Sequence, residues 1–398
     1  MPAASTNRKH GVTDQQHASP VIPRNPGLDL LRGLSILLVV LHHIGLRLPL
    51  KASALDAFVP RRILSALNWN GYEAVFVFFV LSGFLIAGHS LRRWGTLAHI
   101  DIRAFYRRRA ARILPCLVLL VAVLSLLHLA GATDYVIQRE GQSLGRAVLA
   151  VAGLHLNWYE GATGYLPGGW DVLWSLSIEE VFYLGFPLLC LVVRSERVLL
   201  ALLAALALSL PATRAALAGN EIWQEKAYLP GMAAIATGVI AALAAARWPA
   251  RPAWLDRALV IAGSLGLASV LFVEGWWWSW IGNGVMLVLT HSVACLAVGL
   301  DREGRRALVG TAWLRSFGRL SYEIYLGHMF VVFAVVALWK ASGIAPYWSF
   351  LAYVPGVLGS WALGALVARA WSLPWERRLL RRHPASSPAA ASAALAPD

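Results

Sequence analysis

GLDLLRGLSILLVVLHHIGLRLPL, residues 27–50, has the apolar content of a membrane-spanning helix, yet it carries Asp29, Arg32, His42 and His43. Lipid tolerates such groups poorly, and in a span they face a protein interior or a watery cavity. From Arg32 to His43 the step is eleven residues, which returns a helix to within about 20° of its start with a rise of about 16 Å. Asp29 falls on the same side, about 40° from His43. His42 points elsewhere. One face of one helix is expected to carry a cation near one end and an imidazole half a bilayer further on.

The rest of the chain agrees with a membrane reading. Its 398 residues are 58% hydrophobic and 14% charged, with a mean hydropathy of +0.60, against about 25% charged in soluble proteins. Repeated apolar runs near twenty residues predict an all-α polytopic membrane protein. They are too long and too uniformly apolar for barrel strands. The net charge of +14 is accounted for by Lys and Arg in cytoplasmic loops, so no nucleic-acid partner is expected. Cys116, Cys190 and Cys295 each lie in an apolar run and imply no disulfide framework. No nucleotide P-loop, H-E-x-x-H or Cys/His zinc spacing occurs, so neither a metal nor a resident cofactor is expected. The first apolar segment lacks a following small-residue cleavage site and does not read as a signal peptide.

About ten spans are predicted, near 28–46, 71–89, 113–131, 172–193, 198–218, 228–246, 258–274, 276–300, 320–340 and 348–368. Residues 145–156 are apolar but too short to cross, and the Gly/aromatic stretch NWYEGATGYLPGGW follows. With a re-entrant segment near 145–170 and both termini cytoplasmic, roughly three quarters of the 35 Lys and Arg residues fall on the cytoplasmic side. A full crossing would turn the later Arg-rich loops outward. Re-entrant backbone needs protein or water around it, which predicts a cavity beside 145–170. Residues 1–26 and the end of 374–398 are expected to be disordered tails, the latter basic at first, around a membrane domain at 27–373. Trp276, Trp277, Trp278 and Trp280 are expected at the outer turn between the seventh and eighth spans, where they read first as an aromatic belt, with stacking on a sugar the lesser alternative.

Four stretches carry groups that can do chemistry. The first is Asp29, Arg32 and His43, with the histidine the natural general base near neutral pH. The second is Arg109 and Arg112, one helical turn apart in FYRRRAARILP, where paired guanidiniums suit a phosphate-rich ligand. The third is LWSLSIEEVFYLGFP, in which Glu179 and Tyr183 share a face at i,i+4 and Glu180 points away. The fourth is RLSYEIYLGH, where Ser321, Tyr325 and His328 form one polar stripe. Interhelical hydrogen bonding explains that stripe as well as catalysis does.

In this order the stretches resemble the acyltransferase-3 family of bacterial integral membrane acyltransferases. The resemblance rests on Arg32 and His43 with ten residues between them, on FFVLSGFLI around Ser82, and on Arg109, Arg112 and Pro115. It continues through WSLSIEE and FY, from Trp174 to Tyr183, and SY-x-x-YL-x-H, from Ser321 to His328. It covers residues 27–370. The resemblance implies a multi-pass protein of the bacterial inner (cytoplasmic) membrane. Such a protein moves an acyl group, usually acetyl, from cytoplasmic acyl-CoA to a hydroxyl of a cell-surface carbohydrate or lipid-linked glycan. It implies His43 as catalytic histidine with Arg32 as its partner, Glu179 as the acidic residue, and Arg109 and Arg112 on the CoA side. Asp29, Ser82, Trp174, Tyr183, Ser321, Tyr325 and His328 are then substrate-facing or structural. Relatives often have Gly-Val-Asp before the FFV, where this chain has Ala74, Val75 and Phe76 with Glu73 nearby, and many have Ser at the position of Glu323. No soluble esterase-like domain is expected after the membrane part, so the chain is expected to act alone or with a separate partner. The alternative is a transporter or flippase for a lipid-linked sugar, since buried Asp, Arg, His and Glu also suit a proton-coupled pathway.

Overall fold

The computed structural model describes residues 24–303 and 308–381, all of it helix, turn and loop without a strand. Of the tails expected at 1–26 and 374–398, residues 1–23 and 382–398 lie outside the described residues, while Pro26 already begins a helix and Leu373–Arg381 is helical. Among the described residues nine helical stretches are long and apolar enough to cross a membrane. The longest, at 253–302, is two helices joined by a short turn, which makes ten passes. Two of them face each other in opposite directions, with Gly263 against Ser292 and Gly299 against Asp256.

The passes are α1 (Pro26–Gly45), α2 (Gly71–Trp94), α3 (Ile102–Leu129), α4 (Trp174–Val193), α5 (Glu196–Leu208), α6 (Tyr228–Arg247), α7 (Ala253–Ile281), α8 (Val285–Glu303), α9 (Ser321–Ala341) and α10 (Tyr353–Val367). The fifth pass breaks after Leu208 and continues as Leu210–Ala215. The region read as re-entrant is three short helices, Leu144–Ala152, Leu156–Thr163 and Gly168–Asp171. At about 1.5 Å per residue none of them can cross a hydrocarbon core of about 30 Å.

Local chemistry explains the start of α1. Asn25 caps it, accepting from the amides of Gly27 and Leu28 at 2.9 and 3.2 Å, and Pro26 occupies the first turn, where its missing N–H costs nothing. The Asn25 amide also donates to the carbonyl of Leu300 at 2.7 Å, tying α1 to the end of α8. Both ends of the described chain meet at this end of the bundle: the Trp371 indole donates to the Pro115 carbonyl at 2.8 Å, and Glu376 lies 3.8 Å from Arg112. Apolar surface gives no drive for helices to associate in lipid, so close backbone approach at small residues takes its place. Gly83 of α2 lies on the Ile235 carbonyl and Gly238 of α6 on that of Val80. Gly33 of α1 lies on the carbonyl of Leu314, in the helix Ala312–Arg319.

The boundary of the seventh pass differs from the expected one. The helix continues to Ile281, and the turn is at 282–284. Trp276, Trp277 and Trp278 are therefore helical, beyond a break at Val273 where the backbone takes φ −136° and ψ 30°. A period count smooths over one non-helical residue inside an apolar run.

Candidate functional site

Within the bundle a cavity of about 290 Å³ opens among α1, α2, α3, α4 and α9, near the lower edge of the range of about 300–1,000 Å³ for ligand sites. Arg24 and Arg319, both exposed, line it, and Arg32, Arg109 and Arg112 line it further in. Opposite them stands one carboxylate, Glu179. Guanidiniums in this excess over carboxylate suit a polyanion, above all one with phosphate groups, whose oxygens the planar guanidinium fork can bond in pairs.

Each helix delivers its residue for a local reason. Arg32 of α1 donates to the Ser321 hydroxyl at the start of α9, at 2.8 Å. Arg109 of α3 has no carboxylate partner among the described residues, and its guanidinium lies 4.7 Å over the ring of Tyr183, a cation–π contact that steers it without neutralising it. Tyr183 sits one turn after Glu179 on α4 and donates to its Oε2 at 3.2 Å. With that proton committed, the Ser82 hydroxyl of α2 donates to the phenol oxygen of Tyr183. Ser82, Tyr183 and Glu179 thus form a hydrogen-bonded line on the cavity wall.

Arg112 differs from the expectation that it pairs with Arg109 for phosphate. It makes a two-pronged bridge to Glu323 of α9, at 2.9 and 3.4 Å, and the Glu323 side chain is only 1% exposed. A carboxylate buried that far must be matched by a cation. Arg112 lines the cavity, but its charge is already answered.

The inner end of the cavity is closed by Ser175, Phe78 and Tyr325. The Tyr325 hydroxyl donates to the Val172 carbonyl at 3.0 Å and accepts from Ser175 at 2.7 Å. Beyond it are the histidines. Tyr325 and His328 have ring centroids 6.1 Å apart, and His328 and His43 4.8 Å. His328 Nδ1 faces the carbonyls of Tyr325 and Ile324 at 2.8 and 3.2 Å. Carbonyls only accept, so the His328 proton is on Nδ1 and Nε2 carries a lone pair. That lone pair points at His43 Nδ1, 3.3 Å away. His43 Nδ1 also faces the Val39 carbonyl at 2.8 Å, so its proton is on Nδ1 and its Nε2 is left with the lone pair a general base needs. His42 turns away, bonded to the Asn68 carbonyl at 2.7 Å.

The path expected along one face of α1 is therefore interrupted. Arg32 is in the cavity, while His43 stands behind Tyr325 and does not line it. Asp29 is buried with its carbonyl against Gly318, outside the cavity. Trp174 is outside too, stacked 6.4 Å from Tyr72 and edge-on to Phe79 at 6.0 Å. Arg24, Arg319 and His89 line the cavity without having been picked out. The two arginines flank apolar runs, where any loop has charge. His89 had a usable signal: it follows Ser82 by seven residues and shares its face.

Fold and cavity together define a polytopic helical membrane protein with an arginine-lined cavity inside the bundle. The chain belongs to the acyltransferase domain family, whose model matches residues 25–365, as the motifs implied. It is 24% identical to O-acetyltransferase OatA of Staphylococcus aureus (strain NCTC 8325 / PS 47) over 350 residues, which takes in 81% of this chain and 53% of that protein. A second Staphylococcus aureus protein (strain COL), with the provisional name of an O-acetyltransferase, is 28% identical over 169 residues, 41% of this chain and 24% of its own length. The chain spans about half the length of the OatA proteins it matches, 53%. No solved structure matches the chain.

Proposed function

We propose that this chain is an O-acetyltransferase of the bacterial inner membrane, taking acetyl from cytoplasmic acyl-CoA and esterifying a hydroxyl of a cell-surface carbohydrate or lipid-linked glycan. The observation that carries the reading is the convergence of five arginines and Glu179 on a cavity whose inner end is Tyr325, against the His328–His43 pair. The excess of Lys and Arg in the loops at the Arg32 end supports its facing the cytoplasm. OatA, by its name an O-acetyltransferase, supports the reaction class.

On this reading the CoA phosphates engage Arg24, Arg319 and Arg109, and the thioester lies towards Tyr325. His43 Nε2 takes the proton of the acceptor hydroxyl as its oxygen bonds to the acyl carbon. The C–S bond then breaks, and the thiolate leaves as free CoA after protonation. A shift of the Tyr325 side chain joins the two compartments. The first test is on the donor. Purified protein should release thiol from acetyl-CoA when surface polysaccharide is supplied. Arg109→Ala should raise KM for acetyl-CoA about tenfold or more, the worth of one charge-assisted contact. Sugar movement across vesicles without thiol release would instead make the chain a transporter.

A further inference from the structure

At the His43 end of the bundle a second depression lies between the short helix Arg61–Trp69 and the broken stretch of α7, with a volume of about 660 Å³. We propose that this groove is an acceptor subsite, holding a sugar residue of the glycan next to the one that is acylated. The proposal rests on the acetyltransferase reading and names the surface by which its acceptor is gripped.

Three observations carry it. The first is place. Trp69 lines the groove and sets its ring edge-on to His42 at 6.3 Å, and His42 does the same to His43 at 5.1 Å. The groove is thus two ring contacts from the imidazole proposed as base, on the side of the bundle away from the arginine-lined cavity. A polymer seated there keeps one unit held while its neighbour is presented to His43.

The second is composition. Trp69 and Trp276 offer exposed aromatic faces, and Arg62, Ser65 and Glu274 stand among them as exposed donors and acceptors. Aromatic faces for the C–H surface of a pyranose and charged hydrogen-bonding groups for its hydroxyls are the two halves of carbohydrate recognition. Interfacial anchoring accounts for the tryptophans and for Arg62, but it has no use for the Glu274 carboxylate that stands beside them.

The third is that the groove is built by a specific device. At Val273 the backbone leaves helical values, which turns the following residues, Glu274 to Trp276, along the groove wall. The break is supported on both sides. Asn70 donates to the Leu271 carbonyl at 2.9 Å, and the Trp277 indole donates to the Ser269 hydroxyl at 3.0 Å. Helix breaks have causes and need their backbone groups satisfied, so a pinned break beside a polar groove is a shaped feature.

The test uses the full-length protein in lipid nanodiscs, with acetyl-CoA as donor. The acceptor probe is total surface polysaccharide from the producing cells, stripped of its esters by mild base. Trp69→Ala and Glu274→Gln should each raise KM for polysaccharide about tenfold, leaving KM for acetyl-CoA where it was. Trp69→Phe should retain most of the affinity, and Trp280→Ala, on the same rim but outside the groove, should change neither constant. Unchanged polysaccharide KM in Trp69→Ala and Glu274→Gln overturns the proposal and leaves the groove as a membrane-facing belt. An equal rise in Trp280→Ala does the same. If the wild-type protein itself esterifies no polysaccharide, the acetyltransferase reading falls first and the subsite with it.

Discussion

His43 and His328 are joined as a hydrogen-bonded pair because of where their protons are. Each Nδ1 faces backbone carbonyls that can only accept, so His328 offers its lone pair to His43 and His43 turns its own outward. In the proposed reaction His328 is a positioning residue. His328→Ala should lower kcat about tenfold while KM for acetyl-CoA stays unchanged, and His328→Asn, which keeps a polar partner, should recover part of the loss. Steady-state rates of thiol release across a pH series check this, because a merely structural role would not move the pH profile. Arg112 poses a different question. Arg112→Ala leaves Glu323 buried and unmatched, which costs about 3 kcal/mol or more of stability. The pair Arg112→Met with Glu323→Met should recover most of it, read as thermal unfolding in detergent. At this scale the shared faces were legible: Glu179 with Tyr183 at i,i+4, and Ser321 with Tyr325, each line the cavity together. The Arg112–Glu323 bridge was not, because its partners are 211 positions apart and no local pattern pairs them.

Single helices were read well where they were uniform and less well where they break. Period and length find α1 and α9 within a residue or two, but the run from 253 to 303 holds both a turn at 282–284 and a break at Val273. Apolar residues on both sides hide such features, and Asn70, which holds the break, comes from the distant junction between the helix Arg61–Trp69 and α2. Glycine packing is likewise invisible until partners are known. The α2–α6 contact has Gly238 on the Val80 carbonyl and Gly83 on that of Ile235, so a side chain at either must push the backbones apart. Gly238→Leu should abolish recovery of monodisperse protein from detergent-solubilised membranes. Gly185→Ala in α4, where an added Cβ meets nothing within 4 Å, should instead be neutral or stabilise by about 0.5–1 kcal/mol. Size-exclusion profiles of the two variants decide the matter.

On the scale of the whole molecule, ten passes return the chain to the end from which it started, and the three short helices 144–171 stay at the other. Arginines gather at the first end, the histidines lie behind Tyr325, and aromatic residues edge the second. That arrangement gives the proposed transfer a direction. The most direct test is a sealed proteoliposome with radiolabelled acetyl-CoA on the Arg32 side and ester-free surface polysaccharide on the other. The account predicts alkali-labile label on the polysaccharide, matched by free thiol on the donor side, and a loss of about 10²–10⁴-fold in His43→Ala, the usual contribution of a general base. Wild-type transfer by His43→Ala, or label on the polysaccharide only when both substrates share a side, would contradict it.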